Sequence, residues 1–384
     1  MANMRPSLRS WMTLIFAAGV VSAALGACSS DDPAPTSDAG ADGSSRPDGD
    51  APDTAPLPGP DAADASDACD DKGADGLVNS LACTGLYANF ATKTLPPAIK
   101  PYVPGTPFWS DGAEKARFLL LPAGQKIDTT DMAAWKWPVG TKVWKEFKLA
   151  GKRIETRYYT KTAPGKWLRT SYRWDASEST AKRLDKGETL ADGYEIPNLQ
   201  KCDTCHYGGA DQLLGLDAVS LALPAAQGVT LAGLVADGTL TAPPAKTTAT
   251  LPEDGTGKAA AAIQWLHANC ASCHNDSPLA GAAAIELRLA LKPSEILGAV
   301  PTPVADLSLF KTSYCTTSRY SLADGGTPLR NVVGGDRAQS AAYVRANLRE
   351  PTGIAQMPPI ATHIIDTTGV ALLGAWIDAL PPCP

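Results

Sequence analysis

Past residue 30 the sequence has no unbroken apolar stretch of the roughly 20 residues that a bilayer-crossing helix needs, so no later segment is expected to span a membrane. Histidine is scarce, with four in 384 residues, and methionine stands at only five. Any site that needs imidazole or thioether ligands must draw on very few positions. A strong charge of one sign is also missing from most of the chain. The formal −6 is concentrated in residues 31–75, which hold 13 Asp and no Glu against Arg46 and Lys72 alone. From residue 76 onward the balance is +3. A body so close to neutral gives no reason to expect nucleic acid or an acidic polymer as partner.

Large apolar side chains are nearly absent from residues 29–75, which read as Ser, Asp, Ala, Pro and Gly. Such a composition cannot bury enough surface to offset its ordering entropy. Its Asp residues also lack the fixed ligand spacing of a calcium loop. An extended, self-repelling tether over 28–80 is expected. A leader precedes it. Arg5 and Arg9 stand before an apolar run at 11–24, the length of a signal-peptide core rather than of a membrane span. The run closes in Leu25-Gly26-Ala27-Cys28, which resembles the bacterial lipobox, with 1–27 as signal peptide and Cys28 as the lipidated first residue. An ordinary signal peptide that happens to carry a cysteine is the alternative. Several acyl chains on Cys28 would hold the chain to a membrane stably, and Ser29 fits release to the outer membrane. The expected product is an exported lipoprotein in an oxidising space.

Between 107 and 174 the pattern is that of strands. Runs at 116–121, 142–149, 153–162 and 166–174 are rich in aromatic and β-branched residues, with turn signals at Ala150-Gly151 and Pro164-Gly165. Short connections favour an antiparallel meander, half of a sandwich. Six of the nine Trp fall here: Trp109, Trp135, Trp137, Trp144, Trp167 and Trp174. They fill the core of a small sheet or form an aromatic face for a sugar or protein partner. From Ile196 onward the texture changes to Ala- and Leu-rich segments of helical type, broken by Pro and Gly. One helix is expected from Gly257 towards Cys270 with Ile263 and Leu266 on a single face. The last runs over 369–380, where Gly374 would suit a close helix crossing.

Two pentapeptides carry the chemistry. Cys202-Asp203-Thr204-Cys205-His206 and Cys270-Ala271-Ser272-Cys273-His274 both read C-x-x-C-H. Two residues between thiols let one short turn present both sulfurs to the two vinyl groups of a haem, and the following His reaches the iron. Two covalent c-type haems are therefore expected, attached through Cys202, Cys205, Cys270 and Cys273, with His206 and His274 as axial ligands. A zinc site made from both cysteine pairs would leave either His unused. A dithiol redox centre would want a βαβ setting that neither pair has.

For the second haem the expected sixth ligand is Met357, in Gln356-Met357-Pro358-Pro359, 83 residues after His274. Paired prolines would hold that loop extended over the haem face. For the first haem the sixth position stays open between His267, His363, Met132 and no protein ligand at all. Four thiols remain, Cys69, Cys83, Cys315 and Cys383, enough for two disulfides in three possible pairings. Cys69 with Cys83 and Cys315 with Cys383 is the preferred one.

Over about residues 100–380 the chain resembles a family of exported bacterial dihaem c-type cytochromes. The matching residues are Pro107-Phe108-Trp109-Ser110-Asp111-Gly112-Ala113-Glu114-Lys115, Trp137-Pro138-Val139-Gly140-Thr141 and Ile154-Glu155-Thr156-Arg157 in the β region. In the haem region they are Ile196-Pro197-Asn198, Ala268-Asn269 with the second motif, Met357-Pro358-Pro359, Gly369-Val370 and Trp376-Ile377. The resemblance implies haem binding and electron transfer but no substrate. A similar β region beside quinone-cofactor sugar dehydrogenase modules hints at an electron donor of that kind.

The expected fold class is multidomain α+β. An antiparallel, sandwich-like β domain over 81–195 is followed by a mainly α-helical cytochrome c-type haem domain over 196–384, with a second haem unit at 258–384. The expected function is electron transfer with a redox partner protein, in a carrier rather than a catalyst, because no separate catalytic constellation is visible. Two alternatives stand beside it: a dihaem peroxidase using an open first haem, and a surface module binding sugar or protein with ancillary haems. The two motifs of such peroxidases usually lie farther apart than the 68 residues from Cys202 to Cys270.

Overall fold

Alternating burial along residues 142–174 builds the centre of a seven-stranded antiparallel sheet. The computed structural model describes residues 69–384 apart from 322–327, 351 and 354. The expected signal peptide, Cys28 and the tether up to residue 68 lie outside the described residues. Strands β1 (Lys100–Val103), β2 (Glu114–Leu120), β3 (Lys142–Leu149), β4 (Lys152–Ala163), β5 (Lys166–Trp174) and β6 (Ala181–Arg183) form a meander. The short pair β7 (Glu188–Thr189) and β8 (Glu195–Ile196) stands apart, and β9 (Gln227–Gly228) returns to the outer edge of β1, so the order is β6-β5-β4-β3-β2-β1-β9. The turn from β3 to β4 uses Ala150 and Gly151, both at positive φ (46° and 78°), the geometry whose twist suits a two-residue hairpin.

Side chains alternate between two cores. Phe118, Trp144 and Tyr158 are cross-strand partners on one face, joined there by Tyr172 and Trp174. Leu77, Leu81, Leu86 and Ile99 of the preceding segment cover that face. Leu119, Val143 and Tyr159 are partners on the other face, which packs against residues from Leu213 to Leu380. One apolar cluster thus runs across residue 195. Five of the six Trp of the β region, all but Trp109, are buried in these two cores, which is the core-filling alternative. Residues 69–80, counted above with the tether, are tied by the Cys69–Cys83 disulfide to the turn Leu81–Thr84 and to strand β6 by Asp75 on Arg183, at 2.7 Å. The second disulfide joins Cys315 to Cys383.

The expected fold class is corrected on two points. First, the β region is no sandwich: among the described residues a single large sheet has its faces covered by chain segments rather than by a second sheet. Second, the haem region is not mainly α-helical. The described residues form 8 α-helices, only 3 of them with 7 residues or more, and are 23% helical. The tract 280–292 shows why. Its Ala and Leu content favours helix, yet Leu287, Leu289 and Leu291 are buried alternately. Its backbone donates outward instead: Ala282 N to the Cys273 carbonyl (3.1 Å), Leu289 N to the His274 carbonyl (2.8 Å) and Leu291 N to His267 Nδ1 (3.0 Å). Tertiary hydrogen bonds and a period of two override propensity there.

The three longer helices are Leu199–His206, Ala259–Cys270 and Thr367–Ala379. The last two cross at Gly369, where an added Cβ would collide with the Trp265 indole. Asp366 secures the crossing by accepting from Trp265 Nε1 (2.7 Å) and capping the C-terminal helix at Gly369 N (2.9 Å). Gly374 lies against Tyr343 of the short helix Ala341–Ala346, the close crossing expected of it.

Candidate functional site: two adjoining C-x-x-C-H motifs

Asn198 caps the helix Leu199–His206 by accepting from Lys201 N (2.9 Å), and the helix presents Cys202, Cys205 and His206 in succession. The chain then folds back. Asp211 and Gln212 both take left-handed conformations (φ 50° and 62°), which brings the Gln212 carbonyl to His206 Nδ1 at 2.6 Å. Asp211 holds this loop to the sheet by accepting from Trp137 N (2.6 Å) and Trp167 Nε1 (3.1 Å) and by pairing with Lys161. The Tyr159 ring stacks on the imidazole, 4.6 Å between centroids and 22° between planes.

The second motif closes the helix Ala259–Cys270. His274 Nδ1 lies 3.3 Å from the Leu287 carbonyl, supplied by the stretch 286–292 that follows the turns at 281–284. A carbonyl oxygen only accepts, so in both motifs Nδ1 carries the proton and Nε2 keeps its lone pair. Both rings are buried, and burial is the main cause that holds His206 well below the usual imidazole range and His274 below it. Neutral imidazole is the form that ligates a metal.

The motifs adjoin. Asn275 Nδ2 donates to the Gly208 carbonyl (3.0 Å), and a Cβ on Gly208 would collide with the Ser272 carbonyl. Cys273 Sγ lies 3.8 Å from the Thr204 carbonyl. Cys205 and Cys273 share a hydrogen bond that holds the first thiol up and the second down, while burial pushes the Cys270 thiol up to about 12.

Cys270, Cys273 and His274 line one cavity with Cys205, Trp109 and Met357. Its volume is about 200 Å³, and the cavity opens to solvent at its mouth. Leu266, Ile285, Leu287 and Val370 supply apolar wall. The Met357 loop is fixed by Gln356, which donates to the Thr362 carbonyl (2.7 Å), and by Met357 N on the Arg345 carbonyl (2.8 Å). Paired thiols, a neutral imidazole with a free Nε2, a thioether and an apolar wall are a donor set that fits a covalently attached porphyrin.

No family model, curated protein or solved structure matches the chain.

The three expected sixth ligands of the first site are engaged elsewhere. His267 Nδ1 accepts from Leu291 N, His363 Nε2 is 2.9 Å from Glu195, and the Met132 sulfur accepts from Trp135 Nε1 at 3.3 Å. None of them lines the cavity of the second motif. Among the described residues no group of three or more His, Cys, Asp or Glu converges as a metal cage would require. Sequence reasoning missed Asp211, Gln212 and Tyr159. A left-handed Asp-Gln pair has no sequence mark.

Proposed function

We propose that this protein is an exported c-type cytochrome that binds two haems covalently, at Cys202/Cys205 and Cys270/Cys273, and passes electrons between redox partner proteins. The observation that carries the reading is the paired orientation of the two motif imidazoles. Each gives its Nδ1 proton to a backbone carbonyl and keeps Nε2 free, and the two motifs lie against one another. When bound, haem supplies one-electron chemistry that no side chain here can supply. The protein's part is to hold His206 and His274 in one tautomer, to exclude water with an apolar cavity and to offer Met357 beside the second motif, a ligand that raises the reduction potential. The adjoining motifs favour electron exchange within one molecule. A lipid on Cys28 and an outer-membrane location complete the proposal, with no nucleic acid involved.

Intact mass and an alkaline pyridine haemochrome spectrum test it on material matured in a host competent for cytochrome assembly. Two haem additions per chain, together with acyl chains on Cys28, are expected; a colourless product with four free thiols rejects it. Engagement of His267, His363 and Met132 elsewhere favours one further reading, an open first haem that takes peroxide. A spectral change with carbon monoxide and turnover of peroxide would support that reading, and two inert six-coordinate haems would reject it.

A further inference from the structure

The sheet face that meets the first motif carries more positive charge than the protein neutralises. Arg117 on β2, Lys145 on β3 and Arg157 on β4 are successive cross-strand partners and so share one face. It is the face of Tyr159, the residue stacked on His206. Arg157 is matched, with hydrogen bonds of 2.9 and 2.6 Å to Glu155, which also accepts from the Tyr194 hydroxyl at 3.0 Å. Lys115, also on β2, donates to the Phe108 carbonyl.

Arg117 and Lys145 have no such match. Neither makes a hydrogen bond or ion pair among the described residues, although Arg117 is only 6% exposed; its guanidinium merely faces the Phe108 ring, 5.9 Å from the centroid. The hydroxyls of Tyr102 and Tyr159, and of Ser171 opposite Arg157, are buried without partners on the same face. Lys145 lies within electrostatic range of both thiols of the first motif. A cation withdrawn from water without a counter-anion is strongly unfavourable. Arg117 is buried and Lys145 half-buried, and the two side by side, with orphaned hydroxyl donors around them, describe a receptor for a pair of carboxylates.

We infer that Arg117 and Lys145, with the Tyr102 and Tyr159 hydroxyls beside them, form the cradle for the two propionate carboxylates of the haem attached at Cys202 and Cys205. The inference rests on the reading of the first motif proposed above. Held there, both cations stabilise the reduced, less positive haem and raise its potential.

The test uses the full-length holoprotein as wild type and as Arg117→Gln, Lys145→Met, the double variant and the conservative Arg117→Lys. Haem count comes from intact mass, and the two potentials from a spectroelectrochemical titration. We expect two haems throughout and one potential lowered in each single variant. In the double variant the fall should equal at least a tenfold change in the reduction equilibrium, 59 mV for one electron. The other potential should stay put, and Arg117→Lys should behave as wild type. Unchanged potentials in two-haem variants overturn the cradle and leave the haem reading standing, whereas a haem-free wild type overturns that reading itself. Conversion of one haem to a five-coordinate, carbon-monoxide-binding form in Lys145→Met would make Lys145 an iron ligand and overturn its role here. A saturable shift on adding inorganic phosphate to wild type, lost in the double variant, would mean that a solution anion fills the row, and also overturns it. If Arg117→Gln fails to mature, Lys145→Met and Arg117→Lys decide the matter by the same readouts.

Discussion

Asp211 is a clamp between the sheet and the first motif. Its carboxylate collects a backbone amide, an indole and the Lys161 ammonium, and the Lys161 side chain is only 3% exposed. Removing one partner of a buried pair leaves the other charge uncompensated, at a loss of about 3–5 kcal/mol. Asp211→Ala should lose that much in urea unfolding, and adding Lys161→Met should recover most of it. A loss under about 1 kcal/mol would mean that water reaches Lys161. Met357 belongs to the same scale. Its replacement by Ala should lower the potential of one haem by more than a tenfold change in equilibrium, about 59 mV for one electron, and open that haem to carbon monoxide. An unaltered potential rejects the thioether as ligand.

Among the elements, the meander was largely legible. The runs at 142–149 and 166–174 are strands to the residue, β4 extends its expected span by one residue at each end, and β2 starts two residues before its expected span and ends one residue short of it. Cross-strand alternation and left-handed turn positions are written locally, so a short window suffices. The C-terminal helix was legible for the same reason, through Val370, Leu373 and Ile377. The segment 280–292 was not, because its partners are the carbonyls of Cys273 and His274 and the imidazole of His267, all distant from its own composition. The contact between the motifs was equally hidden, since it depends on Gly208 having no side chain. Gly208→Ala must push the Ser272 carbonyl away, at a cost of about 1–3 kcal/mol by the usual overpacking figure. It should also weaken the magnetic interaction between the two haems. Identical electron paramagnetic resonance spectra in the two proteins would show that the contact does not set haem spacing.

At the scale of the whole molecule, the expected division at residue 195 meets a core that ignores it. Tyr102, Leu119, Val143 and Tyr159 from the sheet share one apolar cluster with Ile263, Leu373 and Trp376. Nothing in a local pattern says which distant residues will cover a strand face, which is why a second sheet was expected where loops and short helices do the covering. Residues 196–384, exported without the sheet, should therefore be recovered mainly as aggregate, because the cut bares an apolar surface that no solvent-facing residues replace. Soluble yield and haem content of that fragment check this, and a soluble two-haem fragment would reject it.

The placement of the indoles has an optical consequence. Trp137 and Trp167 bind the loop that orients His206, and Trp109 and Trp265 line the cavity of the second motif. A porphyrin in either place accepts excitation from rings so near, so the mature protein should be almost dark in the ultraviolet. Emission would then brighten as the chain comes apart, a built-in gauge of cofactor loading and of unfolding alike.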